Sequence, residues 1–383
     1  MLKRARFSAI VSTVTSSPFV YEEPVPAQDL VDRDKEMATL TARIRDARNS
    51  RLEGPRRFGK TSLLRTLLAA SEREGLVPVE VNFLGCVTAA DVAERIERAY
   101  AAQLDSTLRR WFDGLIRTLR PTLSVAPGGV GVSARPQVGS PGLLDRLALP
   151  RRIHERTGRQ CTIAFDEFQE VLRIDPALPG VFRSELESHG TAAAYVFSGS
   201  HPGMMRELFA DRRHAFFAQA APVELGPLPA DAIADHVTRR FDEGRRDPGE
   251  ALAPLLDAAE GHPQRAMLLA HHLYLQTPQG SAADVETWDR ALSLARREVA
   301  AEVQIAWEAA STLERRVLKT IAHRTVPLGG REATARFGLG KSGSTQVAVD
   351  RLVGDGHLME DASTRTGWRL VDPFLAGWLR EEA

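Results

Sequence analysis

Residues 54–61 read Gly-Pro-Arg-Arg-Phe-Gly-Lys-Thr, and the rest of the chain is read outward from this G-x-x-x-x-G-K-T stretch. Its glycines let the backbone wrap closely enough for N–H groups to face phosphate oxygens. A helix opening at Lys60 adds the positive end of its dipole. The candidate phosphate cradle is therefore Gly54, Pro55, Arg56, Arg57, Phe58, Gly59, Lys60, Thr61 and Ser62. Lys60 is expected to reach the β- and γ-phosphates and the Thr61 hydroxyl to complete a Mg²⁺ shell, which makes ATP and Mg²⁺ the expected cofactors. The flanks agree: Arg51–Glu53 reads as a short strand, and Leu63, Leu64, Leu67 and Leu68 mark a helix.

About a hundred residues downstream, CTIAFDEF ends an apolar run at Asp166 and Glu167. A first acid at such a strand end can hold Mg²⁺, largely through water, and a second can polarise the attacking water. Asp166 is thus a metal candidate beside Thr61, and Glu167 a catalytic one beside Lys60. A further buried strand, Ala193–Phe197, ends in Ser198-Gly-Ser200, whose hydroxyls are candidate γ-phosphate sensors. Arg212 and Arg213 are candidate arginine fingers, although exposed arginines are common. Arg265, opening a helix in EGHPQRAMLLA, is a candidate catalytic arginine that swings towards the phosphates.

Strand patterns at 78–84 and 222–225 complete an alternation of strands and helices from 29 to 228. That order predicts an α/β domain with a parallel sheet covered on both faces. One helical stretch is expected at 89–119 and another at 142–157. Between them, 122–137 reads as a hairpin with an apolar Pro-Gly-Gly-Val tip, suited either to wedging against DNA or a neighbouring subunit or to packing on its own domain. Residues 1–28 read as an irregular lead-in. From 229 to 308 the pattern is helical throughout, and 309–383 reads as three helices followed by two short strands.

These segments resemble the AAA+ superfamily of P-loop ATPases, most closely the archaeal-type ATPase branch related to replication initiators and to STAND signalling ATPases. LVDRDKEMATL, beginning at Leu30, looks like that branch's adenine-side box. GPRRFGKTSLL, AFDEFQE, VFSGSHPGMM and EGHPQRAMLLA follow in family order, and RLVDPFLAGWLRE (369–381) looks like the end of its winged helix. The resemblance implies nucleotide held between an α/β domain and a helical lid, followed by a C-terminal winged-helix domain. Two departures bear on activity. Relatives often carry an arginine shortly before the last sheet strand, where this chain has Phe217-Ala218-Gln219; the lid arginine of initiators aligns closer to Gln264 than to Arg265. Both are compatible with slow hydrolysis.

The expected function is a nucleotide-dependent switch acting on double-stranded DNA. In a DNA-binding helix-turn-helix the third helix enters the major groove by its N-terminal residues, here Lys341, Ser342, Thr345 and Gln346. Against that, 311–383 holds 11 basic and 9 acidic residues, only +2. The alternative is a signalling or scaffold ATPase whose winged helix binds protein partners; a metabolic kinase fits less well. Self-association into an oligomer is also expected from the resemblance. Lys+Arg and Asp+Glu both total 50, so no global field draws the chain to nucleic acid or to a membrane. No apolar run is long enough to span a bilayer, and the two cysteines, Cys86 and Cys161, read as free thiols of a cytoplasmic protein.

Overall fold

The computed structural model describes residues 16–119, 141–324, 326–329, 331–340 and 342–381. The expected 122–137 hairpin and Lys341 lie outside them. Five parallel strands form the main sheet: β1 (Ser50–Glu53), β2 (Val77–Asn82), β3 (Cys161–Asp166), β4 (Ala193–Ser198) and β5 (Ala221–Glu224). Their order is β2-β3-β4-β1-β5. β3 and β4 are buried along their whole length, as strands covered on both faces must be. β2 alternates, and β5, an edge strand containing Pro222, is largely exposed.

On one face lie the helices Asp34–Arg45 and Lys60–Arg73, packed through Leu40, Ile44, Leu63, Leu64 and Leu67. The other face carries a larger core that includes Val92, Ile96, Phe112, Phe168, Phe182 and Phe209. The stretch expected as one helix over 89–119 is two, Ala89–Gln103 and Ser106–Leu119. Asp105 divides them: its carboxylate accepts the Thr107 and Leu108 N–H groups, as the cap of a new helix does. The expected 142–157 helix also divides, into Pro141–Leu147 and Leu149–Thr157, with Pro150 in the first turn of the second.

Helices Ala230–Glu243, Leu252–Ala259, Pro263–Gln276 and Val285–Ala309 follow. Then come Thr312–His323, Arg331–Phe337 and Ser342–Gly354, the antiparallel pair β6 (Leu358–Glu360) and β7 (Trp368–Leu370), and a closing helix, Pro373–Glu381, absent from the sequence reading. A single hydrophobic cluster runs from Ile233 and Leu268 through Val317 and Leu352 to Phe374 and Leu379. The helical segment and the C-terminal unit therefore share one core.

The segment expected as an irregular lead-in has a defined course over its described part. Phe19 is buried in the helical core against Phe241 and Tyr274, and Asp29 pairs with Arg240. The Val25 N–H donates to Ser62 Oγ (3.1 Å), so the strap runs from the helical segment to the phosphate loop.

Candidate functional site

The strand registers bring the candidates to one sheet edge. Asn82 lies level with Asp166, Phe165 with Phe197, and Leu52 with Ser198. The carboxyl ends of β2, β3, β4 and β1 thus share one rim, where parallel sheets bind ligands. The 54–61 loop leaves β1 there and enters the helix Lys60–Arg73.

Gly54 has φ +155°, and a Cβ there would lie 2.8 Å from the Leu225 carbonyl oxygen, so the loop passes against β5 only with glycine. Gly59, at φ +87°, caps the helix in a left-handed conformation. Arg57, at φ +68°, adopts this region without being glycine. The Lys60 ammonium donates to the carbonyls of Gly54 (2.8 Å) and Pro55 (2.7 Å). Burial lowers its pKa to about 8, against the pull of Glu167 and Asp166. Phe58 turns away from solvent and stacks edge-on against His262 of the helical segment, ring centroids 4.9 Å apart.

Thr61 Oγ1 donates to Asp166 Oδ2 (3.2 Å), and Asn82 Nδ2 reaches the same oxygen at 3.3 Å. Burial and the neighbouring Glu167 charge raise the Asp166 pKa. The Ser198 hydroxyl is fully buried beside Asp166; it has no partner at full hydrogen-bonding geometry, yet it helps hold the carboxylate charged. Glu167, at φ +53°, turns its carboxylate the other way. Glu167 Oε2 accepts the Ser200 hydroxyl (2.7 Å) and the Gln169 amide (2.5 Å). Ser200 is therefore the serine that touches Glu167, and Ser198 the one behind Asp166.

Between the loop, the strap and the helical segment lies a cavity of about 300 Å³. Arg56, Arg57, Lys60, Thr61, Asp166, Glu167 and Ser200 line its phosphate side; Tyr21, Val31, His236, Gln264 and Met267 line the far side. Arg33, also on its wall, is buried and donates to the Gly226 carbonyl at 2.7 Å. Gln264 Oε1 is buried without a partner among the described residues. The cavity combines a positive, N–H-rich end with an apolar end, the form that suits a nucleoside phosphate.

Arg265 is not part of this wall. It is 1% exposed and donates to Asp372 (2.6 Å) and Glu302 (3.2 Å). The expectation that it swings to the phosphates is therefore corrected: Gln264 lines the cavity and Arg265 does not, and two carboxylates hold it. Arg212 and Arg213 are exposed, the former over the Phe217 ring and the latter paired with Asp211. Thr345 is also corrected. It is buried, so it cannot offer its hydroxyl to a DNA phosphate in this conformation. Gln346 is exposed and donates to Asp350 (2.8 Å), while Ser342 opens the helix. Of the residues the sequence reading missed, Asn82 left a signal, a lone amide ending an alternating apolar strand. Gln169 and Arg33 left none beyond lying within conspicuous motifs.

Cys86 and Cys161 are buried and unbonded, the latter thiol pushed up to about 12 by burial. No helix among the described residues is long and apolar enough to cross a membrane.

No family model and no curated protein matches the sequence. Among solved structures, the chain is similar to the Walker-type ATPase of Pyrococcus abyssi, at 18% identity and TM-score 0.67, over 94% of this chain and 99% of that one. It is also similar to the ORC2 protein of Aeropyrum pernix in its ADPNP–ADP complexes, at 17% identity and TM-score 0.57, over 94% of this chain and 95% of that one. At such identities the likeness speaks to the fold alone, and that fold is the AAA+ P-loop fold.

Proposed function

We propose that this AAA+ chain binds ATP at residues 54–62, hydrolyses it slowly, and uses the cycle as a switch. The observation that carries the reading is the joint placement of Lys60, the Thr61–Asp166 pair and the Glu167–Ser200 pair on one cavity wall. Lys60 and the loop amides bind the phosphates. Thr61 and Asp166 supply hard oxygens beside each other, which suits Mg²⁺, an ion that pairs one or two carboxylates with phosphate oxygens and water. When bound, the ion would neutralise phosphate charge and offset the burial and the Glu167 charge that raise the Asp166 pKa. Glu167 is the base for the attacking water, with Ser200 and Gln169 orienting its carboxylate. The strap, Met267 and Gln264 hold the base and sugar end.

The domain plan we propose is an α/β domain over 29–228, a helical lid over 229–308 and a winged-helix unit over 309–383. Three helices followed by the β6–β7 ribbon support the last. Nucleotide-dependent action on DNA through Ser342, Gln346 and Lys341 is the leading reading of that unit. A specific observation favours the rival, a STAND-like scaffold. The helix Ser342–Gly354 packs by its end against the helix Pro202–Ala210, where Gly203 and Gly354 approach so closely that a Cβ on Gly203 would lie 2.9 Å from the Gly354 Cα. A helix seated this way already serves a protein contact.

DNA binding measured at about 50 and 200 mM salt, with and without Mg-ATP, separates the two readings. Affinity that falls steeply with salt and changes with ATP supports DNA. Absence of binding at low salt overturns it.

A further inference from the structure

Glu302, on the helix Val285–Ala309, receives two arginines from different parts of the fold. One is Arg57 of the phosphate loop, at 2.5 Å; the other is Arg265 of the helix Pro263–Gln276, at 3.2 Å. Arg265 passes on to Asp372, immediately before the closing helix. Four alternating charges thus run from the phosphate loop, through the helical lid, to the C-terminal unit.

The two halves of this chain differ in kind. Arg265 is 1% exposed, its guanidinium lies over the Phe374 ring at 5.4 Å, and the Phe374 N–H donates to Asp372 at 2.9 Å. Burial alone would lower the Arg265 pKa; Asp372 and Glu302 more than offset it and hold the pKa above the usual range. Removing one partner of such a pair leaves an unmatched buried charge, so this half is a fixed joint. It lies inside the hydrophobic cluster that lid and C-terminal unit share. The two therefore move as one body.

The Arg57–Glu302 half is half-exposed on both sides, 37% and 45%. It crosses the seam between that body and the sheet domain. Near the same seam, His201 and Asp355 stand 3.5 Å apart, Gly203 faces Gly354, and Val371 packs into the sheet-domain core. Arg57 lines the cavity and holds a left-handed backbone conformation, which a non-glycine residue keeps only when its surroundings enforce it. Guanidinium binds phosphate bidentately and with charge assistance. A triphosphate in the cavity carries more charge than one half-exposed carboxylate.

We propose that the Arg57–Glu302 bridge is a nucleotide-sensitive clasp: a bound nucleoside triphosphate takes Arg57 from Glu302 and frees the lid and C-terminal unit, still joined by Arg265 and Asp372, to move as one body relative to the sheet domain. The proposal rests on the nucleotide reading of the cavity. It gives Arg265 a mechanical role in place of phosphate sensing. By linkage, whatever opens the clasp must also tighten triphosphate binding.

The test uses the full chain carrying Glu302→Gln, a substitution at a half-exposed site that leaves Arg265 its Asp372 partner. Hydrogen exchange reads the seam through peptides covering 202–210 and 342–354, and titration gives the Kd for Mg-ATP and Mg-ADP. The expected result is roughly a two- to fivefold lower Kd for ATP, the worth of a half-exposed pair, with a smaller change for ADP. Seam exchange should be faster in Glu302→Gln without nucleotide, and faster in the wild type once ATP is added. In an Arg57→Ala background the Glu302→Gln gain should vanish. If the gain persists there, the effect is a bare field effect of the lost carboxylate and the clasp is overturned. Wild-type Kd and exchange in Glu302→Gln overturn it as well. If the wild type binds no ATP, the nucleotide reading fails and the coupling with it. Faster seam exchange in nucleotide-free Glu302→Gln would still report the bridge as a structural clasp.

Discussion

Gly199 lies between the two serines of the β4 rim, and replacing it with alanine should separate binding from turnover. An ideal Cβ there would lie 2.2 Å from Gln169 Oε1 and 2.6 Å from the Met205 sulfur, so both side chains must move. Met205 is buried and costs about 1–3 kcal/mol to overpack. Gln169 is 2% exposed and its amide donates to Glu167 at 2.5 Å, a bond to a charged group worth about 1.5–3 kcal/mol. Displacing it leaves the Ser200 hydroxyl as the closest remaining donor to the Glu167 carboxylate. The phosphate loop is untouched. ATP affinity should therefore stay within about twofold of wild type, while single-turnover hydrolysis slows roughly 10- to 100-fold, part of the 10²–10⁴ that a placed base contributes. Gln169→Ala should reproduce the loss, and the double substitution should add little, because both act through one contact. The assay is phosphate release with enzyme in excess, run beside equilibrium titration with ATP. Unchanged hydrolysis, or affinity lost in step with rate, would refute the assignment of Gln169 and Gly199 to Glu167.

Three other outcomes are expected. Gly54→Ala should abolish ATP binding while leaving the lid core folded, because its Cβ meets the immobile Leu225 carbonyl; titration beside circular dichroism checks both halves. ATP affinity should weaken as pH rises through about 8, where the buried Lys60 loses its proton, by up to about tenfold at pH 9; Lys60→Arg, which stays charged, should flatten the profile. His262 caps the helix Pro263–Gln276 as an acceptor, and burial depresses its pKa to about 3. The unfolded chain takes up this proton below its ordinary pKa of about 6.5 and the folded chain does not. Stability should therefore fall as pH drops from about 6.5 towards 3, by up to about 1.4 kcal/mol per unit from this residue. Denaturant midpoints at pH 7 and 5 should differ less in His262→Asn, which keeps a capping oxygen.

The sheet and the phosphate end of the site were readable because their signals are local. The 54–61 spacing marks a phosphate loop, the apolar runs ending at Asp166 and Ser198 mark strands buried on both faces, and the alternation at 78–84 marks a strand more deeply buried on one face than the other. What was not readable depends on long-range pairing. Arg265 looked free because its partners stand 37 and 107 residues away. Thr345 looked exposed because Val347, two residues on and so on the other side of the helix, reads as core; the helix instead turns Val347 outward at 63% exposure and Thr345 inward. The strap carries no periodicity of its own and takes its course from Phe19, Asp29 and Val25, each held by residues far along the chain. Asp105 is a different case: the cap pattern in QLDSTL is local, yet the stretch was read as one helix over 89–119.

The most direct test of the account is the nucleotide recovered with the protein after incubation with Mg-ATP and rapid desalting, compared across wild type, Lys60→Ala and Glu167→Gln. Wild type should carry a mixture of ATP and ADP that shifts to ADP with time, Glu167→Gln should retain unhydrolysed ATP, and Lys60→Ala should carry none. Nucleotide bound to Lys60→Ala at the wild-type level, or ADP forming in Glu167→Gln at the wild-type rate, would contradict it.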